Sequence, residues 1–217
     1  MLKERKQAYL MAYFQQKGED FLSQTEIFSS DMWDGFINVA EALMPNAVIV
    51  VDRFHVMGNL HKALDSFRRY LRRSHKDADV LKNLRWILLK QAQDLTEEEH
   101  LRLEKAFDFS PQLEQVYQLK EDLRLWYDHF PDPEQADRWL DHWIEQAQEL
   151  KNKYLDSFIA TLQRWRPKIL NFFLAGITNG LVEGVNNVLK LILRRAFGYP
   201  NFEHFRLRAL AECGPGM

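Results

Sequence analysis

Ala47-Val48-Ile49-Val50-Val51-Asp52 is an unbroken apolar run, dominated by β-branched residues, that stops at a carboxylate. Such a run predicts a strand buried on both faces, as in a parallel sheet covered by helices. Pro45-Asn46 precedes it and ends a helical pattern over Met32–Met44, where Phe36, Ile37, Ala40 and Leu43 recur at helical spacing. Before that helix, Thr25–Ser30 reads as a short strand that stops at Asp31. Strand, helix, strand predicts a βαβ unit with a parallel pair. In open α/β sheets, sites form beyond the carboxyl ends of the strands. Asp31 and Asp52 therefore sit at the functional edge, although an Asp at a strand end is also a common helix N-cap. His55 follows Asp52 by three residues, a spacing that carries little signal alone.

Outward from this unit the chain reads as helix. Residues 3–22 form one helical pattern, with Gly18 a weak interruption. A helix from about Asn59 to Ser74 has Leu60, Leu64, Phe67 and Leu71 on one face, and it carries the cations Arg68, Arg69, Arg72 and Arg73. Five more helices are expected over residues 79–92, 96–107, 111–130, 133–152 and 155–165. Thr96 with Glu99 has the spacing of a capping box. Phe172-Phe173-Leu174 reads as a short strand or a helix end, and Phe202–Cys213 as a last helix.

The 217 residues suffice for one or two domains with a real core. Nearly half are apolar (46%), which excludes a disordered chain. A net charge of −2 gives no global signal for nucleic acid, so any such binding must come from local patches. The single Cys213 excludes an intrachain disulfide framework and fits a reducing cytoplasm. No apolar run approaches the roughly 20 residues needed to cross a bilayer. There is no signal-peptide pattern, no phosphate-binding glycine loop and no serine-hydrolase elbow. A soluble, cytoplasmic protein is expected.

Thr178–Arg195 holds a second informative pattern. Read as a helix from about Leu181, it places Glu183, Asn186, Asn187, Lys190 and Arg194 on one face. Val182, Val185, Leu189, Ile192 and Leu193 fall on the other. One acid, two amides and then cations suit a carboxylate set beside a polyanion. They equally suit a surface helix whose terminal cations complement its dipole. Paired carboxylates hold Mg²⁺ through hard oxygens, and phosphoryl-transfer sites use two such ions about 3.5–4 Å apart. Lys190, Arg194 and Arg195 would then grip a phosphate backbone.

Asp31-Met-Trp, Pro45-Asn-Ala-Val-Ile-Val-Val-Asp-Arg-Phe-His-Val-Met, Asn179-Gly-Leu-Val-Glu-Gly-Val-Asn-Asn-Val-Leu-Lys and Arg194-Arg-Ala-Phe-Gly-Tyr-Pro-Asn-Phe-Glu-His-Phe-Arg-Leu-Arg occur in this order. Together they resemble a bacterial insertion-sequence transposase of the ISL-three family, over nearly the whole chain. The resemblance implies a DDE domain of RNase H-like fold. Three acids there hold two Mg²⁺ ions for cleavage and strand transfer of DNA, at element ends and target, by a homo-oligomer. Carried over by position, Glu183 resembles the third acid and Asp31 the second, with Asp52 the alternative. Asp52 and His55 resemble an Asp/Cys-x-x-His signature of related transposases.

The expected fold is thus a helix-dominated α/β chain: a partial RNase H-like core interrupted by an all-helical insertion. Residues 1–58 form the partial core, 59–175 the insertion, and 176–217 the core-completing helix with a basic tail. The resemblance also implies a first acid on an earlier strand. None lies before Asp31 at a convincing strand end, so an N-terminally truncated transposase is expected. The alternative is a non-catalytic DNA-binding or regulatory fragment of one.

Overall fold

The computed structural model describes residues 6–129, 132–175, 188–189, 191–196 and 201–213. The described chain is helix-dominated, with one small sheet. Two strands, Ile27–Ser30 (β1) and Val48–Val51 (β2), pair directly. Val48 N–H donates to the Glu26 carbonyl at 2.8 Å, and Asp52 N–H donates to the Ser30 carbonyl at 2.8 Å. The constant offset of these partners makes the pair parallel, as the βαβ reading requires. Ile49, Val50 and Val51 are all buried, so both faces of β2 are covered, while Val48 is exposed.

The chain divides into two compact units: residues 1–28, 33–48 and 176–217, and residues 29–32 and 49–175. In the first unit, α1 (Gln7–Gln15) packs on α3 (Asp34–Leu43), and α2 (Glu19–Ser23) lies between them in sequence. Gly18 is more than a weak interruption. Its φ of +86° is left-handed backbone that glycine adopts without strain, and it splits the expected single helix into α1 and α2. Asn46 Nδ2 donates to the Ser23 carbonyl at 2.8 Å, which ties the turn before β2 to the end of α2.

The second unit is a helical assembly around α4 (Arg53–Ser74), which packs along α7 (Pro111–His129) and α9 (Lys153–Ala175). In turn, α8 (Pro133–Glu149) packs along α9, and α6 (Glu97–Phe109) on α7. Leu60, Leu64, Leu113, Leu123, Leu140 and Leu162 are fully buried at its centre. Two buried tryptophans satisfy their indole N–H groups on backbone: Trp126 on the Ala136 carbonyl and Trp143 on the Leu119 carbonyl.

Local signals set several boundaries. The capping box of Thr96 and Glu99 starts α6. Asp132 caps α8, with Pro133 in its first turn. Asn152 Oδ1 accepts the Tyr154 N–H at the start of α9. Three expectations are corrected. The helix expected from Asn59 begins at Arg53, because Asp52 caps it. The helix expected over 79–92 is a 3₁₀ turn (Ala78–Leu81), a short α5 (Arg85–Leu89) and another 3₁₀ turn (Ala92–Asp94). Asn83, with φ of +57°, interrupts the path there. The helix expected over 155–165 runs as α9 from Lys153 through Pro167 to Ala175, so of the two readings of Phe172 and Phe173, strand or helix end, the helix end holds. There they meet Trp126 and Tyr127 edge to face, tertiary packing that outweighs the backbone bond lost at the proline.

Candidate strand-end acid site

Asp31 and Asp52 follow the last residues of β1 and β2, and both belong to the second unit. The Asp52 N–H bond to the Ser30 carbonyl puts the two acids at the same end of neighbouring strands. Adjacent strands lie about 4.8 Å apart, so the two backbones are direct neighbours there.

Their side chains differ. Asp52 Oδ1 accepts the Phe54 N–H at 2.9 Å, and its Oδ2 lies 3.1 Å from His55 Nδ1. The carboxylate is thus the N-cap of α4 and is bracketed by a partly exposed histidine of the same first turn. The Asp-x-x-His spacing is a real contact. Asp31 is half-buried, and its Oδ1 is shielded from solvent. It does not cap the helix that follows: α3 begins at Asp34 with Trp33 in the N-cap position. Trp33 folds its ring over Gly35, where any Cβ would fall well inside contact with the ring.

Two ties hold β2 and the residue that follows its terminal acid. Arg53, directly after Asp52, bonds Asp128 Oδ1 at 2.5 Å and the Arg124 carbonyl at 3.3 Å, and its guanidinium lies 5.2 Å over the Tyr127 ring. Burial of Tyr127 pushes its phenol well above the usual range, so the ring meets Arg53 neutral. Asn171 of α9 donates from Nδ2 to the Ile49 carbonyl at 2.8 Å. Asn171 lies in no motif, and Arg53 lies within Asp-Arg-Phe-His without a role of its own in the sequence reading. Only its place directly after Asp52 could have set Arg53 beside the site.

Among the described residues, no three His, Cys, Asp or Glu side chains cluster closely enough to hold a metal ion. The donor chemistry at the strand ends nonetheless suits a hard divalent cation, since Asp31 offers carboxylate oxygens. Asp52 suits it less, because its two oxygens serve the α4 cap and His55. Glu183 and Lys190 lie outside the described residues.

The basic residues separate. Arg68 is buried, bonding Asp65 through Nε at 2.9 Å and the Leu81 carbonyl through Nη1 at 3.2 Å. It braces α4 against the 78–81 turn and takes no part in an exposed patch. Arg69, Arg72 and Arg73 are exposed along α4. Arg194 is exposed, and Arg195 reaches Glu212 at 3.5 Å, which also pairs with Arg208. On the expected apolar face of that segment Ile192 is buried, whereas Leu193 is exposed.

A transposase family of the ISL-three type matches residues 1–209. The chain belongs to this family. It is 30% identical over 206 residues to the transposase for insertion sequence element IS1001 of Bordetella parapertussis, covering 92% of this chain and 50% of that relative. It is 28% identical over 217 residues to the transposase for insertion sequence element IS1557 of Mycobacterium tuberculosis, covering 88% of this chain and 48% of that relative. This family member thus spans about half the length of the curated relatives it matches. No solved structure matches it. No helix among its described residues is long and apolar enough to cross a membrane.

Proposed function

We propose that the strand ends carry part of the centre at which an insertion-sequence transposase cleaves DNA and transfers its strands. Asp31 and Glu183 supply two of the carboxylates. The strand–helix–strand of β1, α3 and β2 belongs to an RNase H-like core, and residues 59–175 are a helical insertion in it. One observation carries the choice of acid. Two aspartates end neighbouring parallel strands, and the Asp52 carboxylate is the side-chain cap of α4 and contacts His55. Two Mg²⁺ ions, when bound, would activate the attacking hydroxyl and neutralise charge growing on the phosphodiester. Asp31 would fix the position of that charge on a rigid strand end, with α4 held behind it by Arg53 and Asp128. His55 and Asp52 form the adjoining wall and orient each other.

The test is Mn²⁺ binding to the 217-residue chain, read by electron paramagnetic resonance. Asp31→Asn and Glu183→Gln are expected to weaken binding, and Asp52→Asn to leave it nearly unchanged. Weakening by Asp52→Asn with no effect of Asp31→Asn would reverse the assignment. A second reading, a DNA-binding fragment without catalysis, draws support from the exposed arginines of α4. Salt-dependent DNA binding with no Mn²⁺ site at Asp31 would favour it.

A further inference from the structure

A groove of about 360 Å³ runs between α4 and α9 in the second unit. Lys62 and Ser66 line it from α4; Lys153, Tyr154, Ser157 and Thr161 line it from α9. No carboxylate lines it. The helical period extends both walls. On α4, Lys62, Ser66, Arg69 and Arg73 fall at i, i+4, i+7 and i+11. On α9, Lys153, Ser157, Thr161 and Arg164 fall at i, i+4, i+8 and i+11. Each wall therefore carries both cations and small hydroxyls, and the only acid of α4, Asp65, is buried and bound to Arg68.

The helix dipole does not account for Lys62 or Lys153. Lys62 sits in the middle of α4. Lys153 is the first residue of α9, the end where a positive charge is disfavoured. Its ammonium is held over two rings, 5.3 Å from the Tyr70 centroid and 5.4 Å from that of Tyr154. Tyr70 is exposed. Cations beside accessible aromatic rings and hydroxyls are the side chains that grip a nucleic-acid backbone and take bases on ring faces.

The groove also has a direction. Tyr154 packs against Phe67 and Tyr70, and Asn171 bonds Ile49, so α9 runs antiparallel to α4, whose start follows Asp52, and ends beside β2. Asn59, at the end of the groove nearer the strands, lies about 10 Å of helix rise from Asp52.

We infer that the α4–α9 groove is a track for the phosphodiester backbone of DNA, with Lys62 and Lys153 as phosphate contacts, leading toward Asp31. This inference rests on the transposase reading but names a surface distinct from the acids. The test is binding of labelled duplex DNA by the 217-residue chain, followed by fluorescence anisotropy across a range of KCl in EDTA, so that the acids and their metals play no part. Lys62→Gln/Lys153→Gln is expected to lower the slope of log Kd against log salt by about two. The control Lys82→Gln/Lys105→Gln, on exposed sites of the same unit, is expected to leave it unchanged. An unchanged slope in the groove variant, or an equal loss in the control, overturns the groove. No binding by the wild-type chain overturns the groove, whereas the reading of the strand-end acids stands or falls on the Mn²⁺ titration. Lysine acetylation of the wild-type chain gives a measure free of folding effects: DNA is expected to protect Lys62 and Lys153 and to spare Lys82 and Lys105, and the reverse pattern would also overturn the groove.

Discussion

Asp31 and Asp52 are chemically identical and end neighbouring strands, yet their surroundings give them different work. Asp52 satisfies the Phe54 N–H that opens α4. Asp52→Ala is expected to cost about 1 kcal/mol, and Asp52→Asn, which still caps, much less; urea unfolding followed by circular dichroism measures both. Gly35 has a steric duty instead. Its missing side chain admits the Trp33 ring two residues after Asp31. Gly35→Ala is expected to destabilise the chain by about 1–3 kcal/mol and to alter tryptophan fluorescence, because the ring must leave. His61 is a third case. Burial, with the nearby Lys120 charge, lowers its pKa from 6.5 to about 4, against a smaller opposing effect of Glu121. Between those values the unfolded chain binds the proton and the folded chain does not. Stability should therefore fall as pH drops from about 6.5 toward 4 and lose nothing further through His61 below that. The urea midpoint of wild type should drop more steeply over this window than that of His61→Leu.

At the scale of elements, α7 is joined to its neighbours by a polar chain that hydrophobic periodicity hides. Lys120, 1% exposed, donates to the Leu88 carbonyl at 3.0 Å and the Lys90 carbonyl at 2.7 Å, and it pairs with Glu121 at 2.5 Å. Glu121 also takes the Ala92 N–H and Arg124, and Arg124 reaches Asp128, the partner of Arg53. Burial drives the Lys120 ammonium below its usual range. For Glu121 burial acts upward, but the Lys120 and Ala92 bonds and Arg124 outweigh it and hold the carboxyl low. Lys120→Met leaves Glu121 buried without its main partner and is expected to cost about 3–5 kcal/mol. Lys120→Met/Glu121→Leu should recover much of that loss in the same urea titration. The chain of contacts reaches Arg53, so the α4 start beside Asp52 should lose hydrogen-exchange protection in the single variant and regain it in the double.

For the whole molecule, the chain aligns with about half of each curated relative, and two strands form its described sheet. On the proposed reading, in which Asp31 and Glu183 supply two of the carboxylates, these 217 residues are expected to bind element-end DNA, and any Mg²⁺-dependent cleavage or joining is expected to be lost in Glu183→Gln. A product assay on element-end oligonucleotides with Mg²⁺ checks this. Strand joining that Glu183→Gln abolishes would show that these residues complete the centre by themselves.

The βαβ unit was legible because its cause is local. A β-branched run, a Pro-Asn break and an amphipathic 3.6-residue period each act within a few residues, and so the strand ends and their aspartates followed directly. The family was legible for a related reason: ordered motifs such as Asp-Arg-Phe-His survive in sequence whatever surrounds them. Which aspartate caps a helix was not legible, since Asp31 and Asp52 present the same pattern and only the start of α4 at Arg53 separates them. Nor was the fate of the arginines, because Arg68 and Arg69 differ by one position on a helix whose buried face is chosen by distant segments. The α4–α9 groove is of the same kind. Its two walls lie about ninety residues apart in the chain, and only the antiparallel packing of those helices sets Lys62 across from Lys153.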